Sequence, residues 1–262
     1  MKLVSAVGSI AINRLRVIQY IAAMVAAVVW NSIRPSTWTA PIRDVLARQV
    51  YFTGVQAMRF TCQVGLLVGV SIVVQVQLWL GRVGQSKLLG PILVTVVIRE
   101  LGPLAANLIV IGRSGNAIAT ELGGMQNRGE VRVLDALGLD PLLYLILPRV
   151  MGIAISVFCL TIVFIAAALV SGYLCGGIFG VRTGPPGLFI NSVAQAVGAA
   201  DVVNLVVKAI LTGLLTGVIC CLEGLSVGHD ATQIPRACTR AVQGSILALF
   251  VVAAGVSLMT YM

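Results

Sequence analysis

The sequence predicts an all-α integral membrane protein with five transmembrane helices, preceded by a helix that lies at the membrane interface. Of the 262 residues, 58% are hydrophobic and only 10% are charged, against about 25% charged residues in an ordinary soluble domain. The mean hydropathy is +1.01, and the charges occur in clusters separated by long uncharged stretches. A soluble domain with so few charges could not cover its surface, so lipid is the expected solvent for most of the chain.

Five stretches with few or no charges are long enough to span a bilayer, which takes about 20 mostly apolar residues. They lie near residues 58–80, 88–112, 147–178, 203–223 and 242–261. A sixth stretch, residues 17–33, is close to the lower limit for spanning and ends in polar residues. Trp30 and Trp38 fit headgroup depth, so we predict an interfacial helix here. A signal peptide is the less favoured alternative, because the apolar run starts late and no clean cleavage site follows.

These stretches divide the chain into an interfacial segment, residues 1–50, and a transmembrane domain, residues 51–262. The distribution of Lys and Arg predicts the orientation. With a cytoplasmic N-terminus and five spans, three cationic residues fall on the far side, namely Arg82, Lys87 and Arg182. Thirteen fall on the cytoplasmic side: Lys2, Arg14, Arg16, Arg34, Arg43, Arg48, Arg59, Arg113, Arg128, Arg132, Arg149, Arg236 and Arg240. The C-terminus is therefore predicted to be periplasmic.

The net charge of +9 is then mainly a topology signal and a match to anionic headgroups. Nucleic-acid binding is not expected, since no soluble basic face is visible. The six cysteines form no Cys-x-x-Cys pair and suit apolar packing. His229 is the only histidine, which leaves little for a metal cluster or a Ser-His triad. No phosphate-binding loop is present, so we expect no metal, no cofactor and no unaided ATP hydrolysis.

Arg99 and Glu100 stand in the middle of the predicted second span, followed closely by Gly102 and Pro103. A charged side chain at bilayer depth costs about 2.5–3.5 kcal/mol on insertion scales, so it normally faces a cavity or a partner. Neighbours on a helix point about 100° apart, so these two need not pair with each other. Pro103 removes a backbone hydrogen bond and is expected to bend or break the helix. We interpret the group as part of a polar cavity; a structural ion pair to a neighbouring helix is the alternative.

Lys208 lies a few residues into the predicted fourth span. Its ammonium group either extends to the interface or faces the same cavity as Glu100, where it can meet an anionic headgroup. Small residues also recur at four-residue spacing, which lets helices approach closely: Gly65/Gly69, Gly172/Gly176/Gly180 and Gly213/Gly217. They suit a homodimer seam and packing within one subunit equally well.

Residues 113–141 form the longest polar stretch and are predicted as a cytoplasmic loop between the second and third spans. Its later part places Val131, Leu134 and Leu137 at helical spacing, with a glycine and then a proline as stop signals. The pattern predicts a short amphipathic helix. Such a helix suits either a groove on a soluble partner or the membrane surface, and the spacing favours neither.

An ordered set of motifs runs through the last four-fifths of the chain. Its central part reads Arg99-Glu100-Leu-Gly-Pro103, Gly112-Arg113-x-Gly115, Glu121-Leu-Gly123-x-Met125, Asp140-Pro141 and Pro148-Arg149. It is preceded by Arg48-Gln49-x-Tyr51, Gly54, Gly65, Gly69 and Gln75, and followed by Lys208 and Arg236-Ala-x-Thr-Arg240-Ala-Val242. Together these motifs resemble the MlaE (YrbE) permease family. One such motif is weak, but the ordered set is specific.

The resemblance implies the permease subunit of an ABC transporter that moves phospholipids or related lipids between the bacterial inner membrane and the outer envelope. Members of the family have an N-terminal interfacial helix and five spans, and they pair as homodimers. Each copy docks a cytoplasmic ATPase, which binds the ATP and Mg, and a ring of MCE-domain protein sits on the periplasmic side. Transport direction and the need for a small accessory cytoplasmic subunit stay open.

The resemblance also implies roles for individual residues. Arg99, Glu100 and Lys208 match positions associated with the lipid-binding cavity, and Gly102 and Pro103 mark a helix break beside it. The loop around residues 121–137 matches the ATPase-coupling helix. Its candidate contact residues are Glu121, Met125, Arg128, Glu130, Arg132, Leu134 and Leu137.

This sequence departs from the family inside that loop. Relatives often carry a Thr-Glu pair and then an Asp where this chain has Arg128-Gly129 and then Arg132. The partly reversed charge predicts a cognate ATPase with an acidic groove. Arg59, early in the first span, is also unusual, and nothing in the sequence explains it.

A stand-alone ion-coupled secondary transporter is the competing hypothesis, with Glu100 as the protonation site. It would explain an intramembrane carboxylate without any ATPase. Against it, the sequence shows no internal inverted repeat, and five spans do not divide into equal halves. An intramembrane enzyme is less favoured still, since no convincing catalytic pair is present.

Overall fold

A computed structural model describes residues 2–83, 89–178, 186–228 and 230–261 of the chain. Lys87, Gly180, Arg182 and His229, which the sequence analysis mentions, lie outside the described residues. The described residues form eight helices, several of them assembled from consecutive segments. They are α1 (Lys2–Ile33), α2 (Ala40–Val50, Tyr51–Val55 and Gln56–Val83), α3 (Leu89–Leu93, Val94–Leu101, Gly102–Val110, Ile111–Gly115 and Asn116–Asn127), α4 (Glu130–Ala136), α5 (Leu142–Ile146 and Leu147–Ile178), α6 (Pro186–Ala196), α7 (Ala199–Leu225) and α8 (Ile234–Tyr261). Short 3-10 turns at Pro35–Thr37 and Ala231–Gln233 precede α2 and α8.

Five of these helices are long and apolar enough to cross a membrane, in agreement with the predicted number of spans. They are longer than the predicted spans, and the two longest apolar helices cover Ala40–Arg82 and Pro91–Asn127. At a rise of about 1.5 Å per residue, α2 and α3 each exceed 55 Å, whereas the hydrocarbon core measures about 30 Å. The uncharged stretches mark the hydrophobic part of each helix, but a charged residue does not end a helix whose backbone hydrogen bonds continue.

The N-terminal part of the chain consists of α1, a short turn and the beginning of α2. Residues 17–33 form the second half of the 32-residue helix α1, and Val28 on this helix is fully buried against the bundle. The apolar part of α1, Ile18–Ile33, is shorter than the five long helices. Residue 50, which we expected to separate two segments, lies inside the continuous helix α2. The indole Nε1 of Trp38 donates to the carbonyl oxygen of Ser32 at 2.9 Å and fixes the turn between α1 and α2.

The predicted loop 113–141 is largely helical. Residues 113–127 continue α3, and the short helix expected near residues 131–137 is present as α4. Gly129 and Gly138 flank α4, both with φ of +75°. This left-handed conformation carries no Cβ penalty in glycine, which explains why the chain turns at these two positions.

Contacts between glycines and their neighbours give the directions of the helices. On α2 and α5, Gly54 lies against Ser156 and Gly65 against Phe164, so these helices are parallel. On α7 and α5, Gly213 lies against Ala154 while Gly217 lies against Val150, so α7 is antiparallel to α5. Helix α3 runs parallel to α7, and α8 runs antiparallel to both, as cross-helix hydrogen bonds show. The bundle therefore has an α4 end, where α3 ends and α5 begins, and an opposite end, where α7 begins.

Four turns of the long helices are widened into π-helical geometry: Tyr51–Val55, Val94–Leu101, Ile111–Gly115 and Leu142–Ile146. The helix break expected at Gly102 and Pro103 is absent, since helical residues continue on both sides. Pro103 instead follows directly on the longest π turn, in which the hydrogen-bond ladder already departs from the α pattern. Such turns are frequent at functional sites. The missing N–H of Pro103 thus falls directly after a turn in which the hydrogen-bond ladder is already widened.

Candidate functional site

The structure brings Arg99, Glu100 and Lys208 together, as expected, in a cluster on α3, α7 and α8. The Lys208 Nζ donates to Glu100 Oε1 at 2.9 Å, to the backbone oxygen of Arg99 at 3.0 Å and to Ser257 Oγ at 2.6 Å. The Ser257 hydroxyl also donates to Glu100 Oε1 at 2.6 Å. Arg99 pairs with Asp201, with 2.7 Å between Nε and Oδ1. Arg99 and Glu100 therefore pair with α7 and not with each other, which their helical positions allowed.

The side chains of this cluster differ in solvent exposure, two being buried and two partly exposed. The side chains of Lys208 and Asp201 are 1% and 3% exposed, whereas Glu100 is 41% exposed and Arg99 is 26% exposed. Each buried charge has an open partner of the opposite sign, and the four charges sum to zero. The ammonium group of Lys208 is held by three acceptors inside the bundle.

Asp201 and Ser257 were missed by sequence reasoning. Asp201 lies just before the predicted fourth span, in the first turn of α7, where its Oδ2 accepts a hydrogen bond from the Gly198 N–H at 2.9 Å. An aspartate at this position caps the helix and is favoured by the helix dipole. The one available signal was its spacing of seven residues from Lys208, which places both side chains on the same face of α7. Ser257 had no signal in the sequence.

The cluster lies closer to the opposite end of the bundle than midway along it. Lys208 is nine residues after the start of α7 and Ser257 is four residues before the end of α8, or about 14 Å and 6 Å along the helix axes. Gly102 follows Glu100 by two residues on α3 and packs closely against α5. A Cβ added at Gly102 would lie 2.7 Å from Ile165 Cδ1. Further along the contact between α3 and α7, towards the α4 end, Asn107 Nδ2 donates to Thr216 Oγ1 at 3.3 Å, and both side chains are buried.

The α4 end carries the remaining predicted residues, and several of them contact this chain itself. Glu121 on α3 forms an ion pair with Arg149 at the start of α5, with 2.8 Å between Oε1 and Nη2. Arg149 also donates to the backbone oxygen of Leu145 at 2.9 Å and is buried. Arg128 pairs with Glu130, and this hydrogen bond raises the pKa of the Arg128 guanidinium above its ordinary value. Sequence reasoning did not single out Arg149 as the partner of Glu121.

The two faces of α4 differ from the predicted arrangement. Val131 and Leu134, with Met125 before them, pack against the hydrophobic core of the bundle. Leu137, the third predicted apolar position, is 69% exposed. Val133 is also exposed, and Leu139 beyond the helix is exposed as well. The exposed apolar surface of the α4 region thus consists of Val133, Leu137 and Leu139, because the other apolar face anchors the helix to the bundle.

The described residues form several grooves, and the cluster at the opposite end lines none of four prominent ones. One groove of about 340 Å³ lies at the α4 end and is named the α4-end groove; it is lined by Val45, Arg48, Gln49, Phe52, Ala117, Ile118, Glu121 and Arg149. Another, of about 460 Å³, follows one face of α2 from Val70 to Arg82. Among the described residues, no group of three or more His, Cys, Asp or Glu side chains is arranged to hold a metal ion.

Comparison with known proteins gives a consistent result. The family model described as Permease MlaE matches residues 46–259. A probable ABC transporter permease protein of Rickettsia typhi is 29% identical over 208 residues, which cover 79% of this chain and 80% of the relative. The intermembrane phospholipid transport system permease protein MlaE of Haemophilus influenzae is 30% identical over 200 residues, or 76% of each chain.

A plant relative extends this set. The chloroplastic protein TRIGALACTOSYLDIACYLGLYCEROL 1 of Arabidopsis thaliana is 28% identical over 205 residues, which cover 78% of this chain and 58% of the plant protein. The family match covers more than four-fifths of the chain and includes all members of the charged cluster, from Arg99 to Ser257. The resemblance deduced from the motifs is confirmed, and this chain belongs to the MlaE permease family.

Proposed function

We propose that this chain is the transmembrane subunit of an ABC transporter that moves phospholipids or related lipids across the bacterial envelope. The observation that carries the proposal is the charged cluster of Arg99, Glu100, Asp201 and Lys208, set in a chain of the MlaE permease family. Charged groups within membrane helices are expensive and normally serve a substrate path or a structural pairing. Here they do both, because the buried members hold the open members in place.

The open side chains of Glu100 and Arg99 are the groups that contact the lipid headgroup in this proposal. Lys208 is buried, so it acts by positioning Glu100. Because the cluster carries no net charge, it favours a headgroup that brings both a positive and a negative group over a simple anion. The acyl chains then lie along apolar helix surfaces of the bundle.

A separate cytoplasmic ATPase supplies the energy, and it binds the ATP and Mg. We propose that it docks on the α4 region, whose exposed apolar residues are Val133, Leu137 and Leu139. Arg128 and Arg132 border this surface and suit an acidic groove on the ATPase. Arg132→Glu is expected to weaken ATPase binding at least fivefold in a pull-down with purified components, while Arg16→Glu on α1 serves as the control. Unchanged binding of Arg132→Glu would contradict the acidic groove.

The wider assembly follows the family and is proposed in the same terms. Two copies of this chain pair in the bacterial inner membrane, with cytoplasmic N-termini and periplasmic C-termini. An MCE-domain ring protein contacts the periplasmic side, and a small accessory cytoplasmic subunit is an optional partner. This chain itself is a non-catalytic subunit without a bound cofactor. The alternative of a stand-alone ion-coupled transporter is not favoured, because several matched relatives are named probable ABC transporter permease proteins.

The deciding experiment is lipid transfer by the complex reconstituted in vesicles, with ATP as the energy source. Glu100→Gln is expected to reduce ATP-driven lipid transfer at least tenfold, since it removes the open carboxylate while keeping the side-chain shape. Asp44→Asn, an exposed carboxylate on α2 outside the cluster, is the matched control and should retain transfer. If the Glu100→Gln variant transferred lipid at the wild-type rate, Glu100 would not be part of the lipid site. Transfer that ran on a proton gradient without ATP would favour the ion-coupled alternative.

A further inference from the structure

We propose that the α4-end groove is a second lipid site, which binds the phosphate of a membrane lipid headgroup through Arg48 and Arg149. This groove lies between α2, α3 and α5, at the other end of the bundle from the charged cluster. The proposal concerns binding by this chain alone, so it does not depend on ATP-driven transport.

Charge is the first argument for this occupant. Arg48 and Arg149 line the groove together with one acidic residue, Glu121. A third cation lies at the rim, because the Arg113 guanidinium stacks over the Phe52 ring at 5.5 Å and Phe52 lines the groove. Three cations against one carboxylate leave a local excess of two positive charges. Guanidinium groups present a fork of N–H donors that matches the geometry of a phosphate.

The second argument is that one of these cations is held rigidly. Arg149 is 6% exposed, and its two terminal nitrogens are fixed by Glu121 and by the Leu145 carbonyl. Arg48 is exposed on α2 and free to close on a ligand, whereas its neighbour Gln49 is buried and donates to Thr53 Oγ1 at 2.8 Å. A fixed cation beside an exposed one allows a ligand to be held with little loss of order in the protein, because one of the two side chains is already ordered.

Depth and lining favour a lipid over a soluble anion. Gln49 of the groove contacts Gly152, within one turn of Arg149, and the sequence then runs from residue 150 to residue 181 without a charged residue. The groove therefore lies where the hydrocarbon part of α5 begins, at the level of lipid phosphates. Its remaining walls are apolar and include Val45, Phe52 and Ile118. Cations beside apolar walls fit a phosphate that is attached to acyl chains.

The test measures binding to the purified full-length chain in detergent, without the ATPase, by titration with three probes. The probes are a short-chain phosphatidylglycerol, a short-chain diacylglycerol of equal chain length and inorganic phosphate. Phosphatidylglycerol is expected to bind, and Arg48→Gln should weaken its binding about tenfold, which corresponds to the loss of one hydrogen bond to a charged group. Arg43→Gln, an exposed arginine on the same helix outside the groove, is the matched control and should bind as wild type.

Each other outcome would overturn the proposal. Equal weakening by Arg43→Gln and Arg48→Gln would indicate general attraction to a basic surface. Equal binding of inorganic phosphate would identify a site for a free anion, and equal binding of diacylglycerol would identify a purely apolar groove. Unchanged lipid binding by Arg48→Gln would show that the lipid is not held through the cations of this groove. Arg113→Gln provides a second variant at the rim, with a smaller expected loss.

Discussion

Two seams of the bundle hold their helices together by different physical means. The seam between α2 and α5 depends on small residues: a Cβ added at Gly65 would lie 3.0 Å from the Phe164 backbone oxygen, and one at Gly69 would overlap Ala168. Among the described residues, no salt bridge joins these two helices. The seam between α3 and α7 is polar instead, with the pairs Arg99–Asp201 and Glu100–Lys208.

The comparison separates packing from function. Apolar side chains gain nothing by leaving lipid for protein, so close approach through small residues is an efficient way to associate membrane helices. The α2–α5 seam shows that this chain can join two long helices through small residues, without any of the salt bridges of the described residues between them. The α3–α7 seam therefore does not need its charges merely to associate. Their presence supports a role at the substrate, and it predicts that the two seams respond differently to substitution.

The largest effect on stability is expected at the small-residue seam. Gly69→Ala places a methyl group on the Ala168 backbone, which can relieve the overlap only if α2 and α5 separate. Overpacking of this kind costs typically about 1–3 kcal/mol, and the backbone contact places Gly69→Ala near the upper value. Thermal unfolding in detergent measures the loss. Gly81→Ala is the control, because a Cβ there meets nothing within 4 Å, and equal melting temperatures for both variants would refute the close-packed seam.

The next effect is expected at the polar seam. Lys208→Met leaves the Glu100 carboxylate with Ser257 as its remaining side-chain partner in the cluster. Breaking a fully buried ion pair costs about 3–5 kcal/mol, but Glu100 is partly exposed, so we expect about 2 kcal/mol in the same unfolding assay. The double variant Glu100→Met/Lys208→Met should recover most of this stability without recovering lipid transfer. If the double variant were less stable than Lys208→Met, the cluster would be chiefly structural.

A smaller effect is expected for the ion pair at the α4 end, which tests whether depth decides the cost of a charge. Glu121→Gln keeps a hydrogen-bond acceptor for Arg149 and leaves the arginine near the membrane surface. We expect a loss of about 1 kcal/mol, the upper value for exposed ion pairs, because the Glu121 side chain is 55% exposed. The losses of stability of the Glu121→Gln and Lys208→Met variants are compared in the same unfolding assay. A loss equal to that of Lys208→Met would mean that both pairs are equally shielded from solvent.

The polar seam between α3 and α7 is more predictable from the sequence than the small-residue seam between α2 and α5, for physical reasons. The convergence of Glu100 and Lys208 was one of two alternatives that the sequence left open, because a charge in an apolar helix either finds a partner or reaches the interface. Glycines at four-residue spacing indicated close packing, but not that Gly65 and Gly69 face α5 within the same chain. Helix lengths could not be predicted, since the uncharged stretch reports the lipid boundary while the backbone continues beyond it. The role of α4 was predicted only in part, because Val131 and Leu134 face the bundle and periodicity does not say which surface an apolar face meets.

The smallest effect is expected at the neutral pair of the polar seam, Asn107 and Thr216. Their hydrogen bonds, of 3.3 and 3.4 Å, are longer than those of the charged cluster. Hydrogen bonds between membrane helices average about 0.6 kcal/mol in double-mutant cycles, because the unfolded segments also find partners within the membrane. We expect a coupling energy of this size between Asn107→Ala and Thr216→Val, measured by unfolding of both single variants and the double variant. A coupling near zero would leave the charged cluster as the main polar link between α3 and α7, whereas a coupling above about 1.7 kcal/mol would exceed that range and place Asn107 among the residues that fix the seam.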